Sequence, residues 1–119
     1  MFMEMDNLRS RTYMDRLVSR RDRILARLDK LDAQRKQLEH IAQWQDAAGQ
    51  QQRRNLLHYL TNFHLREVDQ LNSALHRMAT GEYGVCLACT GQIEADWLES
   101  FPEAEFCSTC HTVRKRMRE

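Results

Sequence analysis

Residues 86–110 read CLACTGQIEADWLESFPEAEFCSTC, and the four cysteines in that stretch, Cys86, Cys89, Cys107 and Cys110, decide the fold. As a pattern they are C-x2-C-x17-C-x2-C. A CxxC turn lets two thiolates converge on one metal ion, and a short turn-rich segment brings the second pair to it. The chain has no other cysteine, so the set closes at four sulfurs with no position left for a catalytic water. The spacing predicts a metal-built fold holding one structural zinc ion, not a metal-centred enzyme.

Other chemistries use the same residues. A redox CxxC needs only one pair, with a thioredoxin-like alternation of strands and helices that this sequence lacks. Two disulfides would suit an oxidising compartment. The N-terminal MFMEMDNLRSR, however, has charges and none of the apolar run of a secretory leader, so a cytoplasmic location is expected. An iron–sulfur centre would take the same thiolates.

The rest of the chain sets the surroundings. Its 119 residues hold one proline (Pro102) and four glycines, three of which (Gly81, Gly84, Gly91) flank the first knuckle. With 29% charged and 8% aromatic residues it lacks the material for a large globular core, and no stretch suits a membrane. Leu17, Ile24, Leu31 and Leu38 recur every seven residues, with Leu28 and Ile41 on the adjoining edge. Leu57, Leu60, Val68, Leu71, Leu75 and Met78 make a second stripe, with His64 at a seam position. These are heptad seams. Between them AQWQDAAGQQQRR breaks the apolar register. The expected fold is mainly α: a long antiparallel coiled-coil hairpin over residues 5–80, turning back near 43–52, then a small four-cysteine finger over 81–119 with a short C-terminal helix. A helix from Leu8 to Ala42 would be about 50 Å long. His64 is read as a seam residue because no partner of ligand type is expected one turn away.

Charge narrows the function. From Glu82 to Glu105 the finger carries six acids and no lysine or arginine. A finger that grips phosphate needs cations to release counterions, which argues against sequence-specific DNA binding through it. The arginine-rich first helix (Arg16, Arg20, Arg21, Arg23, Arg27) and the basic run Arg114, Lys115, Arg116, Arg118 leave a nucleic-acid-binding zinc protein as one alternative. No Ser–His–Asp order, glycine-rich phosphate loop or open metal site supports an enzyme.

A helical hairpin followed by this finger resembles the DksA/TraR family of zinc-finger transcription factors. The resemblance runs from about Met5 onward and includes Gly84 before the first knuckle and Ile93, Leu98, Glu99, Pro102 and Ala104 between the knuckles. One local departure is Thr90, where the family usually has glycine; Gly91 follows one place late. The resemblance implies a factor that binds bacterial RNA polymerase and projects its hairpin into the secondary channel, changing the stability of promoter complexes. The family's tip motif is Asp-x-x-Asp-x-Ala. Counting back from Cys86 places Gln43, Asp46 and Ala48 on its three defined positions, so the second acid and the alanine are kept and the first acid is lost. A lone carboxylate is poorly suited to hold magnesium, unlike the paired acids of transcript-cleavage factors, and the nearest other acid is Glu39. The role implied for Asp46 is electrostatic and positional. A passive channel competitor, its tip weakened at Gln43, is the second alternative.

Members of the family work with guanosine tetraphosphate through basic residues at positions that here carry Gln70, Phe101 and His111. Loss of those cations implies action without the alarmone, since charge-assisted bonds to phosphate are the strong ones. Set beside the family, the chain begins almost at its first helix, which implies a smaller globular end that depends more on zinc. It is expected to be a monomer.

Overall fold

The computed structural model describes residues 7–41 and 47–118. Within them the chain is mainly helical: α1 (Asn7–Ile41), α2 (Ala47–Thr80), α3 (Ala95–Ser100) and α4 (Ser108–Arg118). The only β pairing among the described residues is an isolated antiparallel bridge between Val85 and Gln92. Among the described residues no helix is long and apolar enough to cross a membrane. The chain divides into two compact units, residues 20–69 and residues 70–119 with the start of α1 up to Ser19.

In the unit of residues 20–69, segments of α1 and α2 run antiparallel. Arg20, at the start of the first, reaches Glu67 near the end of the second at 3.7 Å. The seam residues meet the interior as the heptads require: Ile24, Leu38 and Val68 are buried. Leu28, Leu31, Leu57 and Leu60 are half-buried along the same stripes. Full burial of such a side chain stabilises by roughly 1.5–3 kcal/mol, so apolar spacing and not helix propensity holds the pair. On the solvent side Asp32, Arg35, Lys36 and Glu39 form i,i+3 and i,i+4 pairs at 2.8–3.2 Å. Hydrogen bonds from Arg35 and then Lys36 hold the Asp32 carboxyl below its usual value, yet in full solvent such pairs add little.

Two expectations change in this unit. α2 begins at Ala47, so Gly49 is helical, Gln50 is buried, and residues 47–52 belong to the helix and not to a fold-back. His64 does have a partner of ligand type one turn away: its Nδ1 lies 2.7 Å from Glu67 Oε1, while Oε2 of the same carboxylate faces Arg20. The correction leaves His64 a seam residue, half-buried in a polar network, and no cluster of potential metal ligands forms around it among the described residues.

The other unit has a core of Tyr13, Leu17, Leu71, Ala74, Tyr83, Ile93 and Leu98 together with Cys86 and Cys107. α2 ends here in a left-handed glycine stop. Gly81 has φ 78°, the Glu82 amide donates to Arg77 O at 2.8 Å, and the Gly81 amide donates to Met78 O at 3.3 Å. That pair of bonds satisfies carbonyls a helix end would otherwise leave bare. Beyond the stop, Tyr83 turns inward and is fully buried.

Candidate metal centre

The first knuckle is built from backbone bonds. The Cys86 amide donates to Gly91 O at 2.8 Å and the Thr90 amide to Cys86 O at 3.0 Å, closing the turn that carries Cys89. Thr90 sits at φ 60°, the only non-glycine in the left-handed region among the described residues. Thr90, where the sequence resemblance places a glycine, itself takes the left-handed position, which a β-branched residue fits poorly. Gly91 has a different task. A Cβ there would lie 3.3 Å from Cys89 Sγ, so glycine leaves the sulfur room.

The second knuckle opens α4. The Ser108 amide donates to Glu94 Oε2 at 3.1 Å, the His111 amide to Cys107 O at 2.8 Å, and the Cys110 amide points at Cys107 Sγ at 3.5 Å. Glu94 thus satisfies an orphan amide at the start of a helix 14 residues downstream. The Leu87 amide to Glu105 O bond, 2.9 Å, joins the two knuckles.

All four sulfurs lie within 4.8 Å of one another, with Cys89 and Cys107 3.9 Å apart, and all four are free cysteines. Four thiolates about 2.3 Å from one tetrahedral ion would sit roughly 3.8 Å apart, so the donor set and spacing fit a metal ion. Cys86 and Cys107 are buried, Cys110 is partly covered and Cys89 is exposed. Burial opposes ionisation of Cys86, but amide hydrogen bonds from Cys89, Cys107 and Ala88 outweigh it and draw the thiol down to about 6. Cys110 is pushed up to about 12, first by its hydrogen bond with Cys107 and then by burial. Four thiols this close do not all ionise unless a cation holds the charge together. With four protein ligands the site is closed, and the ion it would hold is structural.

Contacts that sequence reasoning missed hold this centre in place. Tyr83 donates to Pro102 O at 2.7 Å and its ring lies 6.0 Å from that of Tyr13. Tyr13 bonds Glu99 Oε2 at 3.1 Å, and Arg16 donates to Glu99 O and faces Glu99 Oε1 at 3.5 Å. Arg77, also buried, reaches Ala104 O at 3.3 Å. Burial lowers its pKa, opposed by Glu105, Tyr83 and Glu82. Buried polar side chains without a sequence-local partner are the signal that periodicity cannot carry.

The other singled-out residues fall into two groups. Of the tip positions, Ala48 is exposed in the first turn of α2, while Gln43 and Asp46 lie outside the described residues. Gln70, Phe101 and His111 line one cavity of about 500 Å³. Trp97 packs against Phe101 and His111 there, with ring centroids 4.9 and 5.4 Å away. Arg114, Lys115 and Arg118 line it too, with Glu103 and Glu105, so α4 brings cations that the sequence comparison did not place there.

A mainly helical chain with two long helices and a four-cysteine finger has a DksA-like fold, as the sequence resemblance implied. Among solved structures it is similar to the transcription factor DksA2 from Pseudomonas aeruginosa, with a TM-score of 0.84 and 25% sequence identity over 96% of this chain and 89% of that one. No protein-family profile and no curated protein sequence matches the chain.

Proposed function

We propose that this chain is a transcription regulator that binds bacterial RNA polymerase, with zinc in the four-cysteine site. One observation carries the reading: likeness to a transcription factor extends over 96% of the chain. Four soft sulfur ligands in a closed tetrahedral set suit zinc. In this reading the hairpin enters the polymerase's secondary channel, and Asp46, with Ala48 beside it, acts on promoter complexes from the tip. A carboxylate there accepts hydrogen bonds, repels phosphate or pairs with a basic loop of its host. The decisive test is Asp46→Asn measured for polymerase binding and for promoter-complex lifetime. Retained binding with a lost effect supports an active tip. An unchanged effect favours the passive competitor that the Gln43 departure suggests.

The same reading includes little response to guanosine tetraphosphate at the family's usual position. Gln70, Phe101 and His111 supply no fixed cation, and Arg114, Lys115 and Arg118 share their cavity with Glu103 and Glu105. Promoter-complex lifetimes with and without the nucleotide decide it; strong synergy overturns this part alone.

A further inference from the structure

Residues 47–66 of α2 include three arginines, Arg53, Arg54 and Arg66, and no acidic residue. On the same stretch Leu56, Tyr59 and Phe63 are 57%, 62% and 43% exposed. Positions i, i+3 and i+7 share a helix face, so the three side chains form a strip about 10 Å long. The seam side of the helix is covered by its own unit, as Leu57, Leu60 and Val68 show, while the strip is left to solvent. Large apolar side chains clustered in the open mark interaction surfaces, and tyrosine, phenylalanine and arginine are the residues such surfaces favour. The strip is also pre-shaped. The Phe63 ring packs edge-on against His64 at 5.5 Å, and His64 is fixed by Glu67 at 2.7 Å. An anchor already held in place loses less entropy on binding.

We propose that Leu56, Tyr59 and Phe63, rimmed by Arg53 and Arg66, dock on a protein surface that offers apolar pockets edged with carboxylates. The inference rests on the polymerase reading, in which that surface is a wall of the channel, about two helical turns from Ala48. Charge selects this occupant. A second copy of the chain would bring arginine against arginine with no acid on either strip. Single-stranded nucleic acid would use the two rings for stacking, but Leu56 has no such face and adds only apolar area.

The test uses the full zinc-loaded chain and bacterial RNA polymerase core enzyme in a fluorescence-anisotropy binding assay. The Tyr59→Ser/Phe63→Ser double variant leaves the buried seam untouched, so its far-UV circular dichroism should match the parent. Leu65→Ser removes a comparably exposed leucine, 48% accessible, from another face of the same helix. Expected are binding at least about tenfold weaker for the double variant, as for loss of interface anchors, and parental binding for Leu65→Ser. Arg66→Glu should slow association most at low salt. Parental affinity in the double variant and in Arg66→Glu overturns the docking face while leaving the polymerase reading intact. An equal loss in Leu65→Ser also overturns it. Failure of the parent to bind polymerase overturns both. Binding of a single-stranded RNA oligonucleotide that falls steeply with salt and is lost in the double variant would assign the strip to nucleic acid instead.

Discussion

The hydroxyl of Tyr83 donates to the carbonyl oxygen of Pro102 at 2.7 Å from a ring with no solvent exposure. The bond spans 19 residues and ties the segment just after α2 to the middle of the loop between the two knuckles. Tyr83→Phe keeps the ring and leaves the buried Pro102 carbonyl without that donor. Loss of one partner of a buried pair costs about 1–2 kcal/mol. Urea unfolding near neutral pH should show that decrease with an unchanged slope; equal midpoints would mean the bond contributes nothing.

The same residue sets a pH dependence. Burial raises the pKa of Tyr83 well above its usual value, with Tyr13 adding to the rise. A tyrosine kept neutral in the native state binds its proton more tightly there than in the unfolded chain. Its contribution is therefore complete below a pH of about 10 and is lost progressively as pH rises above it. The stability advantage of the parent over Tyr83→Phe should narrow between pH 8 and pH 11. A constant difference across that range would contradict the burial of this hydroxyl.

At the first knuckle, Thr90 and Gly91 predict opposite effects. A β-branched residue at φ 60° is strained, so Thr90→Gly should stabilise the finger by about 1 kcal/mol. Gly91→Ala puts a Cβ 3.3 Å from Cys89 Sγ, and a sulfur fixed on a metal has no freedom to yield. Competition with a chromogenic zinc chelator checks both: Thr90→Gly should hold the metal more tightly and Gly91→Ala less. Tighter binding by Gly91→Ala would show that the turn opens freely.

How much of this was legible follows from distance along the chain. The seams were readable because a period of seven is a local property, and Leu17, Ile24, Leu38, Val68 and Leu71 are indeed buried. The sulfur cluster was readable because ligand spacing encodes its own geometry. The stop at Gly81 was also local. Glu94 as the partner of Ser108, Arg77 under the Ala104 carbonyl, and the meeting of Tyr13 with Tyr83 were not readable. Each pairs residues that only the finished fold brings together. The break in apolar register over AQWQDAAGQQQRR misled because the helical cost of its one glycine, about 1 kcal/mol, is small beside the tertiary packing that sets helix limits.

Removal of the metal should separate the two units. Residues 20–69 owe their pairing to Ile24, Leu38 and Val68, none of which touches sulfur chemistry. In the other unit Cys86 and Cys107 belong to the buried core itself, so the ion and the packing form one cooperative structure. Without a cation the four thiols, gathered within 4.8 Å, either repel as thiolates or take up protons and lose the metal bonds that tie the knuckles together. Chelation should release one zinc ion per chain and loosen the finger. The helical signal of residues 20–69 should persist, and the loss should fall on α3, α4 and the ends of α1 and α2 that share the finger's core. Amide hydrogen exchange should accelerate across residues 83–110 while the seam amides stay protected. Equal protection of the finger with and without metal would mean that packing around Tyr83, Ile93 and Leu98 suffices, and the sulfur site would then need a role other than folding.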